Sequence, residues 1–158
     1  MPYPTSLPRM ALGLLLGLAS LPALAASADD VTVDGAYVRE VPPMVRNSAA
    51  FMTLSNSGDT EAALVAVHST AADTIELHTH LNDNGVMRMR QIPEIAVAAG
   101  ASTKLQPGGL HIMLLGLTGS LQQGRTVSLE LEFADGSRTR IEAPVMPVMS
   151  GMHHGKHH

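Results

Sequence analysis

The chain has 158 residues, with 10 Lys and Arg against 14 Asp and Glu, a formal charge of −4, and no cysteine. An acidic balance with scattered basic residues excludes a nucleic-acid binder, which needs clustered Lys and Arg to neutralise phosphates. Without cysteine there is no disulfide framework, so the fold must rest on its core alone.

The first element in chain order is a leader. Arg9 precedes an apolar run from Met10 to Leu18 that leads to Ala23-Leu24-Ala25 before Ala26. This predicts a secretory signal peptide over residues 1–25 and export to the periplasm. The stretch is broken by Gly13, Gly17, Ser20 and Pro22, and it falls short of the roughly 20 apolar residues that a membrane span needs. Loss of the leader removes Arg9 and leaves 9 basic against 14 acidic residues, a formal −5. The remaining length suits one domain with a single core, and no other stretch is apolar enough to span a membrane.

Beyond the leader, apolar and polar residues alternate in short runs separated by turn signals, the pattern of an antiparallel β protein. Strands are predicted over 31–41, 49–56, 62–69, 74–81, 86–91, 95–98, 102–106, 110–115, 125–133 and 137–143, with no amphipathic helix. Asn84-Gly85 and Asp135-Gly136 supply the positive φ angles of two-residue hairpin turns. Pro42-Pro43 interrupts pairing after the first strand, and Pro107-Gly108-Gly109 turns tightly toward the strand that holds His111. Ten short strands imply an all-β sandwich or barrel. The β domain is assigned to residues 26–145.

Three of these strands carry two soft metal ligands one residue apart: His78 and His80, Met87 and Met89, and His111 and Met113. Residues at i and i+2 share a strand face, so each pair presents its donors side by side. Leu110, Ile112 and Leu114 supply a core face that leaves His111 and Met113 pointing outward. Ile75 and Leu77 do the same for Glu76, His78 and His80. The alternates of Met87 and Met89 are Val86, Arg88 and Arg90, so those two methionines fit either the core or the ligand face. Residues 146–158 read as a flexible tail holding Met146, Met149, Met152, His153, His154, His157 and His158.

Thioether sulfur with imidazole, and without thiolate, suits copper and above all Cu(I). Glu76 is the only carboxylate near the pairs, which argues against zinc and iron sites built on harder donors. A nearly neutral, soft site binds Cu(I) without forcing redox turnover. The imidazole-rich tail could also hold Cu(II). A blue-copper electron carrier is excluded by the missing cysteine, and no nucleophilic or carboxylate constellation points to an enzyme.

The segment ELHTHLNDNGVMRMRQIPEIAVAAGASTKLQPGGLHIMLLGL resembles the periplasmic Cu(A) chaperone family, the PCu(A)C proteins. Their signature is His, ten residues, Met, twenty-one residues, then His-x-Met. His78, Met89, His111 and Met113 reproduce that spacing. The phrases AYVRE, FMTLSNSG, GVMRMR and PGGLHIMLLGL add to the likeness, which extends from about Val31 to Ala143. The resemblance implies a cupredoxin-like Greek-key β-sandwich that binds Cu(I) through His78, Met89, His111 and Met113 at an exposed surface site. It also implies delivery of copper to the Cu(A) centre of cytochrome c oxidase subunit II, often beside a Sco-type thioredoxin-fold protein. Many members carry Met two residues after the first His, where this chain has His80. His80 and Met87 are therefore possible additional ligands. The tail resembles extensions on some members where a second copper binds. The competing reading is a periplasmic copper-storage protein without a dedicated recipient.

Overall fold

A computed structural model describes residues 27–147. The expected signal peptide and the tail donors Met149, Met152, His153, His154, His157 and His158 lie outside the described residues. One helical turn, α1 (Ser27–Asp30), leads into ten strands: β1 (Val31–Arg39), β2 (Asn47–Asn56), β3 (Ala62–His68), β4 (Ala72–Asp83), β5 (Val86–Gln91), β6 (Ile95–Val97), β7 (Ser102–Leu105), β8 (His111–Leu117), β9 (Thr126–Phe133) and β10 (Arg138–Met146). All ten predicted strands are present. Met146, expected as the first residue of the tail, instead ends β10.

The strands follow the order β5-β4-β8-β2-β1-β10-β9-β3-β6, with β7 also pairing β2. One half, β5-β4-β8-β2-β1 with β7, and the other, β10-β9-β3-β6, are each antiparallel. They are joined where β1 runs parallel to β10, with Val38 opposite Val145 and Arg39 opposite Met146. Strand β2 divides its outer edge, pairing β8 over Asn47–Ala50 and β7 over Met52–Ser55. This is the cupredoxin-like β architecture. Among the described residues no helix is long and apolar enough to cross a membrane.

Period-2 alternation explains the core. Leu54, Leu105, Ile112 and Leu114 of the first half meet Leu64, Ile95, Leu129, Leu131 and Phe133 of the second, all fully buried in one cluster. Asn56 is a buried polar exception with a function. Its amide donates to the Thr60 and Val97 carbonyls at 2.7 and 3.0 Å, and its oxygen accepts from Gly58 N–H at 2.9 Å, closing the β2–β3 connection.

Asn84 and Gly85 both have positive φ, 52° and 87°, and make the expected two-residue hairpin between β4 and β5. The turn at Asp135-Gly136 differs from expectation. Gly136 N–H donates to Phe133 O at 2.8 Å, and Phe133 N–H to Ser137 O at 2.9 Å. The loop therefore has three residues, and only Gly136 takes positive φ, as in a type I turn followed by a bulge.

The core and the outward face of β8 are separable. Leu114→Ala is expected to lower unfolding free energy by about 2–5 kcal/mol in urea titration, while the β8 side chains on the other face keep their positions, as judged by His111 resonances.

Candidate metal centre

Cross-strand register places the ligand pairs on a single face. On antiparallel strands, directly opposed residues project to the same side. His78 lies opposite His111 on β8 and Gln91 on β5; Glu76 lies opposite Met113; His80 lies opposite Met89; Met87 lies opposite Asn82. Met113 in turn faces Ala49 on β2. The donors of β4, β5 and β8 thus share the face turned away from the core, as their alternation requires.

The face is less open than expected. His111 is only 2 % exposed, although it lies outside the core cluster. It is covered by neighbours on its own face: its ring centroid is 5.1 Å from His80, 5.7 Å from His78 and 6.3 Å from Phe51. The surface site implied by resemblance is a recess. A cavity of about 360 Å³ opens there, lined among others by Arg39, Phe51, His80, Met89, His111 and Met113. His78 and Met87 do not line it. Met87 and Met89 are half exposed, which removes the core reading left open for them. All of β5 is exposed because it is the edge of the sheet.

Each imidazole is oriented by a specific acceptor. The turn Gln106–Gly109 closes with Gly109 N–H donating to Gln106 O at 3.0 Å, with Pro107 at its second position and Gly108 at φ 81°, the pattern of a type II turn. The Gly109 carbonyl then accepts from His111 Nδ1–H at 3.0 Å and from His80 Nδ1–H at a longer 3.4 Å. His78 is held from the other side, its Nε2–H donating to Glu76 Oε2 at 2.7 Å. These bonds fix the tautomers. Among the described residues, His111 Nε2 and His78 Nδ1 remain buried with no hydrogen-bond partner. A buried polar atom left unpaired is costly, and an imidazole nitrogen whose other nitrogen is tied to a carbonyl or carboxylate is the usual arrangement of a metal-binding histidine.

The donor chemistry passes the same test. Two bare imidazole nitrogens, a third imidazole at His80, and the thioethers of Met89 and Met113 form a soft, uncharged set. Among the described residues no three His, Asp or Glu side chains converge as a metal cage. Burial lowers the His111 pKa from 6.5; the Gly109 hydrogen bond opposes this, and the positive potentials of His80, His78 and Arg39 add to it. His111 is therefore neutral at neutral pH, the state a metal requires. Arg39, whose guanidinium stacks 5.1 Å over the Phe51 ring, was not read as part of the site. Neither was the Gly109 carbonyl, although Pro107-Gly108-Gly109 marked the turn. Met146 lies opposite Arg39 across the β1–β10 pairing.

Two outcomes follow from this geometry. Glu76→Leu should release the His78 tautomer, seen as averaging of its two ring 15N resonances, whereas Glu76→Gln, which keeps an acceptor oxygen, should preserve it. For His111 the unfolded chain takes up a proton near pH 6.5 while the folded chain resists. Its contribution is therefore unchanged above that pH, and stability falls as pH drops from 6.5 toward the lower folded value. Urea midpoints between about pH 8 and pH 5 should show this decline, and His111→Gln should flatten it.

Comparison with known proteins agrees with the architecture. Residues 31–145 match the family described as "Putative lipoprotein LpqE-like". "Putative lipoprotein Lxx21020" of Leifsonia xyli subsp. xyli is 36 % identical over 141 residues, 84 % of each chain. The solution structure of Cu(I)-DR1885 from Deinococcus radiodurans is 36 % identical, covers 78 % of this chain and 83 % of that one, and superposes with a TM-score of 0.64. The copper-bound PCuAC domain of PmoF2 shares the fold at 17 % identity, with a TM-score of 0.65 over 77 % of this chain and 97 % of that domain. On this match the chain belongs to the LpqE-like family, which is the PCu(A)C family.

Proposed function

We propose that the protein is an exported copper chaperone that carries Cu(I) on the β4–β5–β8 face and passes it to an acceptor. The observation that carries this reading is the pair of buried nitrogens without partners among the described residues, His78 Nδ1 and His111 Nε2, on the face that also holds the thioethers of Met89 on the edge strand β5 and Met113 on β8. The Cu(I)-bound relative and the copper-bound PmoF2 domain support the metal, and the lipoprotein relative supports export. His111, Met113, Met89 and His78 hold the ion, and His80 offers a further nitrogen from the cavity wall. Soft neutral donors favour Cu(I) over Cu(II), so the ion is carried as cargo and no catalytic turnover is assigned.

The finer reading places the protein in the periplasm, with the Cu(A) centre of cytochrome c oxidase subunit II as recipient and a Sco-type protein as helper. The tail adds a second, Cu(II)-competent site. Its first donor, Met146, sits beside Arg39 on the sheet. Tethering there raises the copper concentration at the recess.

X-ray absorption at the copper edge of the Cu(I)-loaded protein truncated after Val145 is expected to show about two sulfur and one or two nitrogen neighbours; an all-nitrogen shell overturns the assignment. Met113→Leu should remove one sulfur and weaken Cu(I) binding by about 10- to 100-fold. Truncation should abolish Cu(II) binding and lower copper stoichiometry; unchanged values remove the tail from the proposal. Mixing the loaded protein with a purified apo Cu(A) domain and then adding a one-electron oxidant such as ferricyanide should build the purple mixed-valence Cu(A) absorption, and its absence removes that recipient.

A further inference from the structure

The edge of the sheet nearest the site is exposed in an unusual way. β5 reads VMRMRQ and every residue in it is exposed. Val86, Met87 and Met89 on β5, with Leu81 of β4 on the same hairpin, are four of the seven large apolar side chains exposed among the described residues. Among the described residues β5 pairs only with β4, and no other described strand lies beside its outer backbone groups. Sheet edges are usually blunted by charged side chains, proline, a bulge or short length, and of these β5 has only its two arginines. β5 has six residues, no proline and an uninterrupted register with β4 from His78–Gln91 to Asp83–Val86.

Charge narrows what can pair there. The chain carries a formal −4, yet β5 holds Arg88 and Arg90 and no acid. Arg88 is partly shared with Asp83 at 3.3 Å, both side chains more than half exposed. Arg90 makes no ion pair among the described residues. A second copy adding antiparallel to β5 would set these arginines against each other across the seam, and like charges directly opposed are destabilising. An acidic strand meets the opposite situation.

We infer that β5 is the docking edge for an acidic, extended segment of the protein that receives the metal. The segment adds to the sheet as a further strand. Main-chain hydrogen bonds along Val86–Gln91 supply affinity, and carboxylates facing Arg88 and Arg90 supply selectivity. The added strand lies about 4.8 Å from β5, next to Met89, which lines the cavity. A soft donor on that strand, opposite Met89, then shares the ion at the recess. The inference rests on the copper-carrier reading for the identity of the cargo, but the edge and its charge stand apart from it.

The test uses the 15N-labelled full protein and two synthetic peptides of about ten residues with the same alternating Thr and Met. One carries Glu at its remaining positions and the other Lys. The Glu peptide should shift the amides of Val86–Gln91 and protect from exchange the alternate ones that do not bond to β4, and the Lys peptide should not. The double variant Arg88→Glu/Arg90→Glu should reverse this preference and leave Cu(I) affinity, measured against a chromophoric chelator, unchanged. No perturbation by the Glu peptide, equal perturbation by both peptides, or perturbation at the opposite edge Ile95–Val97 overturns the inference. Protection of Val86–Gln91 without peptide, together with a doubled mass in solution, assigns the edge to a second copy and also overturns it. Loss of Cu(I) binding by the unaltered protein would instead overturn the copper reading, and the peptide result would still decide the docking edge.

Discussion

One peptide carbonyl organises the site. Gly109 O accepts from His111 Nδ1–H and, at longer range, from His80 Nδ1–H, and it occupies that position because Pro107 and Gly108 set the turn before β8. Gly108 has open space around its α-carbon but a φ of 81°, so its requirement is conformational, not steric. With the carbonyl in place, His111 keeps a bare, buried Nε2 and is a neutral ring. The tautomer of His111 depends on this turn, whereas its lowered proton affinity comes first from burial and is opposed by the Gly109 hydrogen bond.

Glu76 plays the corresponding part for His78 from the opposite side. Carboxylate and imidazole are two residues apart on β4, one strand spacing that brings both onto the same face. The two imidazoles opposed in register across β4 and β8 are thus locked by unlike acceptors, one charged and one neutral. Their bare nitrogens differ as metal ligands as a result, since a hydrogen-bonded carboxylate raises the donor strength of the ring it holds.

Much of this was legible from residue order. Period-2 alternation separated Ile112 and Leu114 from His111 and Met113 because one face had to meet the second half of the sheet. What alternation cannot state is whether the other face is wet. His111 is dry because Phe51, His78, His80 and the Gln106–Gly109 turn gather over it, contacts that join β2, β4 and β8 across long sequence separations. β5 failed the same reasoning for the opposite reason. It overhangs the core, both of its faces are in water, and no apolar pattern distinguishes Met87 and Met89 from Arg88 and Arg90. β4 likewise runs to Asp83, beyond the Leu81 limit drawn from its apolar residues, because the ladder with β5 continues after the core ends. The different surroundings of His78 and His80 follow from Glu76 and Gly109, and their shared i, i+2 spacing contains no trace of it.

Arg39 bears on the charge that the recess can hold. It is fixed by its stack on Phe51, and its charge is among those that disfavour a proton on His111. A monovalent metal ion bound at the same nitrogen feels the same repulsion, because the field acts on charge regardless of the carrier. The wall of the cavity therefore opposes positive charge of either kind at His111, with Arg39 the smallest of the contributions that do so.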